Sequence, residues 1–256
     1  MKKIITTLLA VATLIFGFAF SACGNNDSQT TIKVGITYYE PMNYIDTATG
    51  KLVGFDTEFA EKALTEIGYT KIDFVEINWD TKQIALQTKE IDLIWNGMTI
   101  KDELKEFMNF TDSYMENRQV VVCKKSDAAK FTDIASIKSS GAEVYVESGS
   151  AAQTVCEENG ITLTDSQKAG KQADCLLEVK TKNNAIAILD ITLAKSMTGE
   201  GTNYSDLTYV NVGFEGEEYG IGVRKTDTEL LNKLNEIIAK YKTDGTFDAL
   251  VKKYMA

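Results

Sequence analysis

Three polar or aromatic side chains follow predicted strands at positions where a small charged molecule could be bound. Asp190 ends the apolar strand 185–189, and a carboxylate in that position suits an ammonium group. Ser150 lies in a Ser-Gly-Ser loop that opens a predicted helix, where small residues let backbone N–H groups approach an anion. Trp79 follows the predicted strand 71–77, and its ring suits a stacking wall. Each has a structural alternative: a helix cap for Asp190 and Ser150, and core packing for Trp79.

The stretch 91–110 has the pattern of a strand, a short turn and a helix. Its first residues are bulky and apolar, and Asn96 and Gly97 then supply a turn, because both tolerate tight backbone conformations. Thr99, followed three residues later by Asp102, predicts the start of a helix. Small ligands bind at such junctions in open α/β sheets, against the N–H groups that begin the helix. Asn96, Gly97 and Thr99 are therefore candidate binding residues.

The composition excludes several kinds of chemistry. The 256 residues carry a formal net charge of −10, which argues against the phosphate backbone of a nucleic acid as a partner. The chain has no histidine, so a metal site or a catalytic triad that uses imidazole is excluded. The sequence contains no phosphate-binding P-loop motif. We therefore predict no metal, no cofactor and no catalytic residue.

The beginning of the chain has the features of a secretory leader. Lys2 and Lys3 are followed by an apolar run and by two small residues before Cys23. The letters FSAC resemble a lipobox, whose cysteine becomes the lipidated N-terminus. We predict a signal peptide over 1–22, lipid on Cys23, a polar tether over 23–31, and a position on the extracytoplasmic face of the cell membrane. A membrane anchor helix is the alternative, although the apolar run is near the lower length limit for a span.

Three cysteines remain after the leader, namely Cys123, Cys156 and Cys175. An odd number cannot pair completely. Cys156 and Cys175 lie in adjoining helical segments and could form a bridge outside the cytoplasm. The alternative is that all three are small buried apolar residues.

Several segments resemble, in the same order, the polar amino-acid-binding lipoproteins of ABC uptake systems. They are GFDTEFAEKAL, IDLIWNGMTIKDELKEFMNF, FTDSYMENRQVVV, VESGSAAQ, AILDITLAK and EYGIGVRKTDTELLNKLNEIIAKYKTDGTFDALVKKY. The resemblance covers nearly all of the chain after the leader. It implies an α/β protein with the two-lobed type II periplasmic-binding-protein fold and two hinge crossings. Residues 32–118 and 215–256 are expected to form one lobe, and residues 119–214 the other.

The resemblance also implies roles for individual residues. An aromatic residue in the loop after the first strand covers the ligand in relatives, which makes Tyr38 or Tyr39 a candidate, with rim packing as the alternative. Trp79 matches an aromatic residue over the ligand, and Asp190 matches the acid that binds the amine. Glu147 takes a place where some relatives carry a cation.

One residue that the resemblance leads us to expect is missing. Relatives bind the ligand carboxylate with an arginine five residues after the threonine of the central motif, and Leu104 takes that place here. Leucine cannot imitate the planar guanidinium fork. The chain has two arginines, Arg118 and Arg224, and either can be purely structural. Lys101 and Lys105 flank Leu104 but are expected to point elsewhere on the predicted helix.

Two ligand classes follow from these observations. In the first hypothesis the chain binds an amino acid, with backbone groups near Thr99 and Ser150 on its carboxylate. In the second it binds an amine or another organic cation without a carboxylate, because aromatic rings and acids, with Leu104 in place of arginine, favour a cation. An enzyme similar to cyclohexadienyl dehydratases, with Glu147 or Asp190 as general acid, is a remote third hypothesis. A sensory or adhesive module is a further alternative.

Under both binding hypotheses, this protein is expected to be the ligand-binding component of an importer. The two lobes are expected to close on one small-molecule ligand by a hinge motion. The resemblance implies that the closed form is presented to a membrane permease, which a separate ATPase energises. We expect the protein to be a monomer.

Overall fold

A computed structural model describes residues 30–255. The predicted signal peptide, Cys23 and nearly all of the predicted tether lie outside these residues. Across residues 30–255, no helix combines the length and the apolar character needed to cross a bilayer.

The elements alternate between strands and helices along most of the chain. The strands are β1 Thr31–Ile36, β2 Tyr44–Ile45, β3 Leu52–Val53, β4 Lys71–Glu76, β5 Leu93–Ile94, β6 Met108–Phe110, β7 Met115–Lys124, β8 Glu143–Glu147, β9 Lys168–Ala169, β10 Ala185–Asp190, β11 Leu207–Val210, β12 Gly216–Tyr219 and β13 Gly222–Arg224. The helices are α1 Phe55–Ile67, α2 Lys82–Gln87, α3 Ile134–Ser140, α4 Ala151–Glu158, α5 Gln172–Thr181, α6 Ile191–Met197, α7 Thr228–Thr243 and α8 Thr246–Tyr254. Short 3-10 turns cover Trp79–Thr81, Glu103–Glu106, Lys125–Lys130 and Asp165–Gln167.

The first lobe is built on a sheet with the strand order β4-β1-β5-β13-β6. Strand β1 runs parallel to both of its neighbours, and β13 runs antiparallel to β5 and β6. Helix α1 packs on this sheet through its apolar face. Phe59 on that face is fully buried, and its ring contacts Trp95 at 4.9 Å and Phe247 of α8 at 5.9 Å between ring centroids. These ring contacts join α1 and α8 to the sheet in one core.

The second lobe is built on a sheet with the strand order β11-β7-β10-β8-β9. All six residues of β10 are buried, because helices cover both faces of the sheet at this strand. One face contacts Leu176 of α5 and Leu193 of α6, and the other contacts Cys156 of α4. The α/β architecture with two sheet-and-helix lobes, expected from the resemblance, is confirmed.

Two antiparallel strands connect the lobes. The first part of β7 pairs with β12, with Met115 opposite Tyr219 and Arg118 opposite Gly216. The rest of β7 belongs to the sheet of the second lobe. We call residues 115–119 and 216–219 the hinge ribbon. Side chains alternate along it, so Asn117, Gln119 and Glu217 share one face.

The prediction of a helix after Thr99 is wrong. The chain forms one 3-10 turn over Glu103–Glu106 and returns at once to strand β6. Thr99 does not cap a helix, because it is bridged to Tyr219 of the ribbon and its hydroxyl donates to Glu217 at 3.0 Å. Asp102 makes no side-chain capping bond either. Pairing with the hinge ribbon therefore outweighs the helix-start pattern formed by Thr99 and Asp102.

The cysteine alternative in which all three residues pack as small apolar side chains is confirmed. Cys123, Cys156 and Cys175 are buried and free. Burial raises the pKa of the Cys123 thiol to about 11 and that of Cys156 to about 12. These thiols are therefore uncharged at neutral pH and inert toward exchange.

Candidate ligand-binding cleft

A cleft between the lobes collects residues from the carboxyl ends of strands in both sheets. The first lobe contributes Trp79, Lys82, Asn96, Gly97, Met98, Thr99, Lys101 and Leu104, and the second contributes Glu147, Gly149, Ser150, Ala151, Gln172 and Asp190. Seven of the nine predicted binding residues thus lie together, and Tyr38 and Tyr39 do not. The space between them is about 20 Å³, room for roughly one water molecule.

The cleft is narrow because the lobes touch across it. Lys82 Nζ in the first lobe donates to the carbonyl of Gly149 in the second at 2.9 Å. At the rim, Lys171 Nζ lies 2.5 Å from Glu76 Oε1. The structure is therefore a closed form of the two-lobed protein.

Asp190 lines the cleft, and several side-chain amides donate hydrogen bonds to it. It ends β10 and is 5% exposed. Its Oδ1 accepts from Asn117 Nδ2 at 2.5 Å and from Gln119 Nε2 at 2.7 Å, and its Oδ2 accepts from the side-chain amide of Gln172. Burial raises the pKa of Asp190, and these hydrogen bonds oppose the rise. The helix-cap alternative is wrong, since the side chain makes no capping bond to α6.

Glu217 is a second acid at the same place, and the sequence analysis did not identify it. Its Oε2 accepts from Asn117 Nδ2 and Gln119 Nε2, both at 3.1 Å, and from Thr99. The same two amides therefore hold both carboxylates. Burial first, and then the charge of Asp190, raises the pKa of Glu217. Two acids this close favour a cation or a proton between them.

Glu147 and Lys82 are residues of opposite charge type that both line the cleft. Glu147 ends β8 and is 2% exposed, and Lys82 begins α2 and is 4% exposed. Burial, followed by the charge of Asp190, raises the pKa of Glu147 to about 8. Burial, followed by repulsion from Lys101, lowers the pKa of Lys82 to about 8. No three Cys, Asp or Glu side chains of residues 30–255 are grouped so that they could hold a metal ion.

The loop 148–150 leads from β8 into α4 and faces the first lobe. Ser150 is the N-cap of α4, and its Oγ accepts from the backbone N–H of Gln153 at 3.3 Å. Gly149 has a φ of +70°, a left-handed conformation that favours glycine. The first amides of a helix have no carbonyl partner within the helix. Ser150 Oγ bonds that of Gln153, which leaves those of Ala151 and Ala152 at this end of α4, and Ala151 lines the cleft.

The polar groups of the central motif are already used within the protein. Asn96 Oδ1 accepts from the backbone N–H of Thr37 at 2.9 Å. The N–H of Gly97 donates to Asp56 Oδ2 at 2.6 Å. Burial raises the pKa of Asp56 to about 7, and the bond from Gly97 opposes the rise. Asp56 thus orients the loop instead of capping α1, whose N-cap is Gly54.

Neither tyrosine of the first loop covers the cleft. Tyr39 is buried, and its hydroxyl bonds to Tyr219 at 2.7 Å and to Thr192 of the other lobe. Its ring packs against Gly97, where an added Cβ would lie 2.7 Å from Tyr39 Cε1. The expected covering role of Tyr39 is not seen, because Gly97 leaves room for the ring beside the hinge ribbon.

The other two aromatic candidates are each paired with a lysine. Trp79 is 7% exposed and lines the cleft, with Lys82 Nζ 4.7 Å from its ring centroid. Tyr38 is half-buried at the rim, and its ring stacks under Lys171 Nζ at 4.8 Å. Tyr38 therefore contacts the second lobe and does not line the cleft.

The expectation that Lys101 points away from the cleft is wrong. Its Nζ lies 2.5 Å from Thr154 Oγ1 and 3.4 Å from the carbonyl of Ser150. A 3-10 turn has replaced the expected helix, so the direction of its side chain changed. Arg224 is structural, since it donates to the carbonyl of Ile91 at 2.7 Å away from the cleft.

A larger cavity of about 770 Å³ lies on the opposite face of the hinge ribbon. Glu116 and Glu218 line it, and they alternate with Asn117 and Glu217, which face Asp190. None of the nine predicted binding residues lines this cavity. The narrow cleft is therefore the better candidate for a ligand that the lobes enclose.

The buried acids of the cleft predict how stability depends on pH. The native pKa of Glu147, about 8, exceeds the ordinary 4.5, so the native state keeps a proton that the unfolded chain releases. This contribution is complete below pH 4.5 and is lost as the pH rises through about 8. We expect Glu147→Gln to reduce the fall in melting temperature between these values by on the order of 5 °C.

Thermal unfolding at a series of pH values measures this effect. Asp190 and Glu217 have raised pKa values too, so some pH dependence should remain in the variant. Exposed Glu200→Gln is the control and should follow the wild-type profile. Parallel profiles for Glu147→Gln and wild type would contradict the assignment.

Comparison with known proteins identifies the family. The model of bacterial extracellular solute-binding proteins, family 3, matches residues 32–256. The histidine-binding periplasmic protein of Salmonella typhimurium is 30% identical over 266 residues, which cover 99% of this chain and 97% of the relative.

Solved structures agree with this result. An ABC uptake transporter substrate-binding protein from Streptococcus pneumoniae, solved with bound histidine, has a TM-score of 0.78 and 28% identity, with 89% of this chain and 93% of that chain covered. The ancestral amino acid-binding protein AncCDT-1, a precursor of cyclohexadienyl dehydratase, has a TM-score of 0.79 and 29% identity, with 90% and 97% covered. The two-lobed fold, the match along the chain and these neighbours agree, and the chain belongs to the bacterial extracellular solute-binding proteins, family 3.

Proposed function

We propose that this protein captures a free amino acid outside the cytoplasm for an ABC importer. A zwitterion needs an acid for its ammonium and donors or a cation for its carboxylate, because unpaired buried charges are costly. The cleft holds buried Asp190 on one side and buried Lys82 with the N-terminus of α4 on the other. This arrangement of opposite charges is the observation that carries the proposal.

The amine hypothesis loses its main motive. It rested on Leu104 in place of arginine and on the aromatic rings and acids, Glu147 among them. Lys82 and Lys101 both line the cleft and supply the positive charge that Leu104 lacks. The relatives also support an amino acid, since the Salmonella protein is named for histidine and the Streptococcus structure contains it.

Closure of the two lobes is the proposed mechanism. The lobes are taken as residues 32–118 with 215–256, and residues 119–214, so that both limits fall at or beside the hinge ribbon. Contacts such as Lys82 to Gly149 hold the closed form that a permease, energised by its ATPase, would recognise. Lipid on Cys23 would keep the monomer at the membrane.

Binding without turnover completes the proposal. Support comes from the description of the family as solute-binding, and from AncCDT-1, which is itself named an amino acid-binding protein. Incubation with prephenate and arogenate should yield neither phenylpyruvate nor phenylalanine. Formation of either product that depends on Glu147 or Asp190 would contradict this part.

A thermal-shift screen, followed by calorimetry, tests the ligand class. The panel pairs amino acids with their decarboxylated amines, for example L-histidine with histamine and L-arginine with agmatine. A ligand present at 100 times its Kd stabilises the native state by about 2.7 kcal/mol, so a melting temperature higher by about 5–10 °C is expected with one of the amino acids. Shifts with amines alone would overturn the proposal.

A further inference from the structure

We propose that Lys82, assisted by Lys101, binds the carboxylate of the ligand in place of the arginine that Leu104 replaces. This inference rests on the proposed function, since it names the group that recognises an amino acid. The cation that binds the carboxylate would then be the first residue of α2, and not a residue of the 3-10 turn over 103–106.

Lys82 is a buried cation that bonds backbone carbonyls and no carboxylate of residues 30–255, although the charges of Glu147 and Asp80 act on it from farther away. Its Nζ donates to the carbonyls of Trp79 at 3.0 Å and Gly149 at 2.9 Å. No carboxylate oxygen of residues 30–255 lies within 4.0 Å of it. An ammonium has three N–H donors, so one remains after the two carbonyl bonds. A buried charge of this kind is stabilised when an anion enters the cleft beside it.

Lys101 lines the same cleft as Lys82 and Leu104. Its side chain is 15% exposed, and its nearest acid is Glu103 at 3.7 Å, a residue whose own side chain is 61% exposed. Both lysines contact carbonyls of the loop before α4, those of Gly149 and Ser150. The two ammonium groups repel each other, and a ligand carboxylate bound between them would offset that repulsion.

The second lobe supplies the rest of this subsite. Helix α4 begins at Ala151, directly after the two carbonyls that the lysines contact. The amides of Ala151 and Ala152 and the dipole of the helix favour an anion at the same point. The apolar side chain of Leu104, which also lines the cleft, excludes water from the ion pair. The carboxylate would thus be held by lysines of one lobe and helix amides of the other, which couples binding to closure.

Calorimetry with Lys82→Met tests the inference. The probes are L-histidine and L-arginine, with histamine and agmatine as matched amines. The affinity for the amino acid that binds wild type should fall about 100-fold, since removal of one partner from a buried charge pair has an effect of this size. Lys82→Arg keeps the cation and should stay within about tenfold of wild type, and Lys101→Met should lose about tenfold.

Lys105→Met is the matched control. Lys105 is 53% exposed, pairs with Asp102 at 2.8 Å and does not line the cleft, so its replacement should leave the affinity unchanged. Leu104→Arg added to Lys82→Met should restore at least about tenfold of the lost affinity, because it returns a cation to the same subsite. Thermal unfolding of each variant confirms that it is folded.

The outcomes separate the inference from the proposed function. If wild type binds an amino acid and Lys82→Met binds it equally well, the inference is overturned and the proposed function stands. If wild type binds only histamine or agmatine, both are overturned. A 100-fold loss in Lys82→Met, recovered by the added Leu104→Arg, supports the inference.

Discussion

Replacement of Asp190 by asparagine should reduce the affinity for the amino acid ligand by about 100–1000-fold, an effect of roughly 3–4 kcal/mol. Asp190 is nearly fully buried, and three side-chain amides, from Asn117, Gln119 and Gln172, hold its two oxygens. Asparagine keeps the shape of the side chain but removes the charge that an ammonium requires. Calorimetry of wild type and variant with the same amino acid measures the change.

Two comparisons make this result specific. Asp165→Asn is the control, because the side chain of Asp165 is fully exposed in the same lobe, and it should bind as wild type does. The variant should also bind a ligand that lacks the amino group no more weakly than wild type does. Unchanged affinity for the amino acid would contradict the assigned role.

Replacement of Gly149 by alanine should hinder closure of the lobes and weaken binding by about 30-fold. A Cβ on Gly149 would lie 2.8 Å from the Cα of Asp80, which belongs to the other lobe. The clash exists only in the closed form, where a penalty of roughly 2 kcal/mol is expected for overpacking against backbone. Small-angle scattering with and without ligand should show that the variant contracts less than wild type.

Gly141→Ala is the matched control for this substitution. Gly141 has a φ of +64°, close to the +70° of Gly149, and within residues 30–255 no atom outside Gly141 and its chain neighbours lies within 4 Å of the position its Cβ would take. Both alanines therefore carry the same left-handed strain of about 1–2 kcal/mol, but only one meets the opposite lobe. A similar affinity loss in both variants would mean that backbone strain, and not contact between the lobes, causes the effect.

Elements whose pattern is local were predicted well from the sequence. The apolar run 185–189 became the central strand β10, and the predicted strand 71–77 became β4, Lys71–Glu76. Hydrophobic periodicity depends only on neighbouring residues, so it survives whatever the rest of the chain does. The prediction of a helix after Thr99 was wrong because a contact distant in sequence, the pairing of Thr99 with Tyr219 on the hinge ribbon, outweighed the local helix-start pattern.

Asp190 was recognisable because it is an acid at the end of an apolar strand, and Glu147 because the resemblance puts a cation at that place in some relatives. Lys82 and Glu217 lie among ordinary polar residues, so their neighbours in the chain did not indicate a role in the cleft. The sequence by itself determined the strand 185–189, the acid Asp190 at its end and the family. Only the tertiary structure decided which charges meet: Lys82 bonds a carbonyl 67 residues away, and Thr99 reaches Glu217 at a separation of 118. Charge pairing acts through space between lobes, and no pattern along the chain encodes those distances.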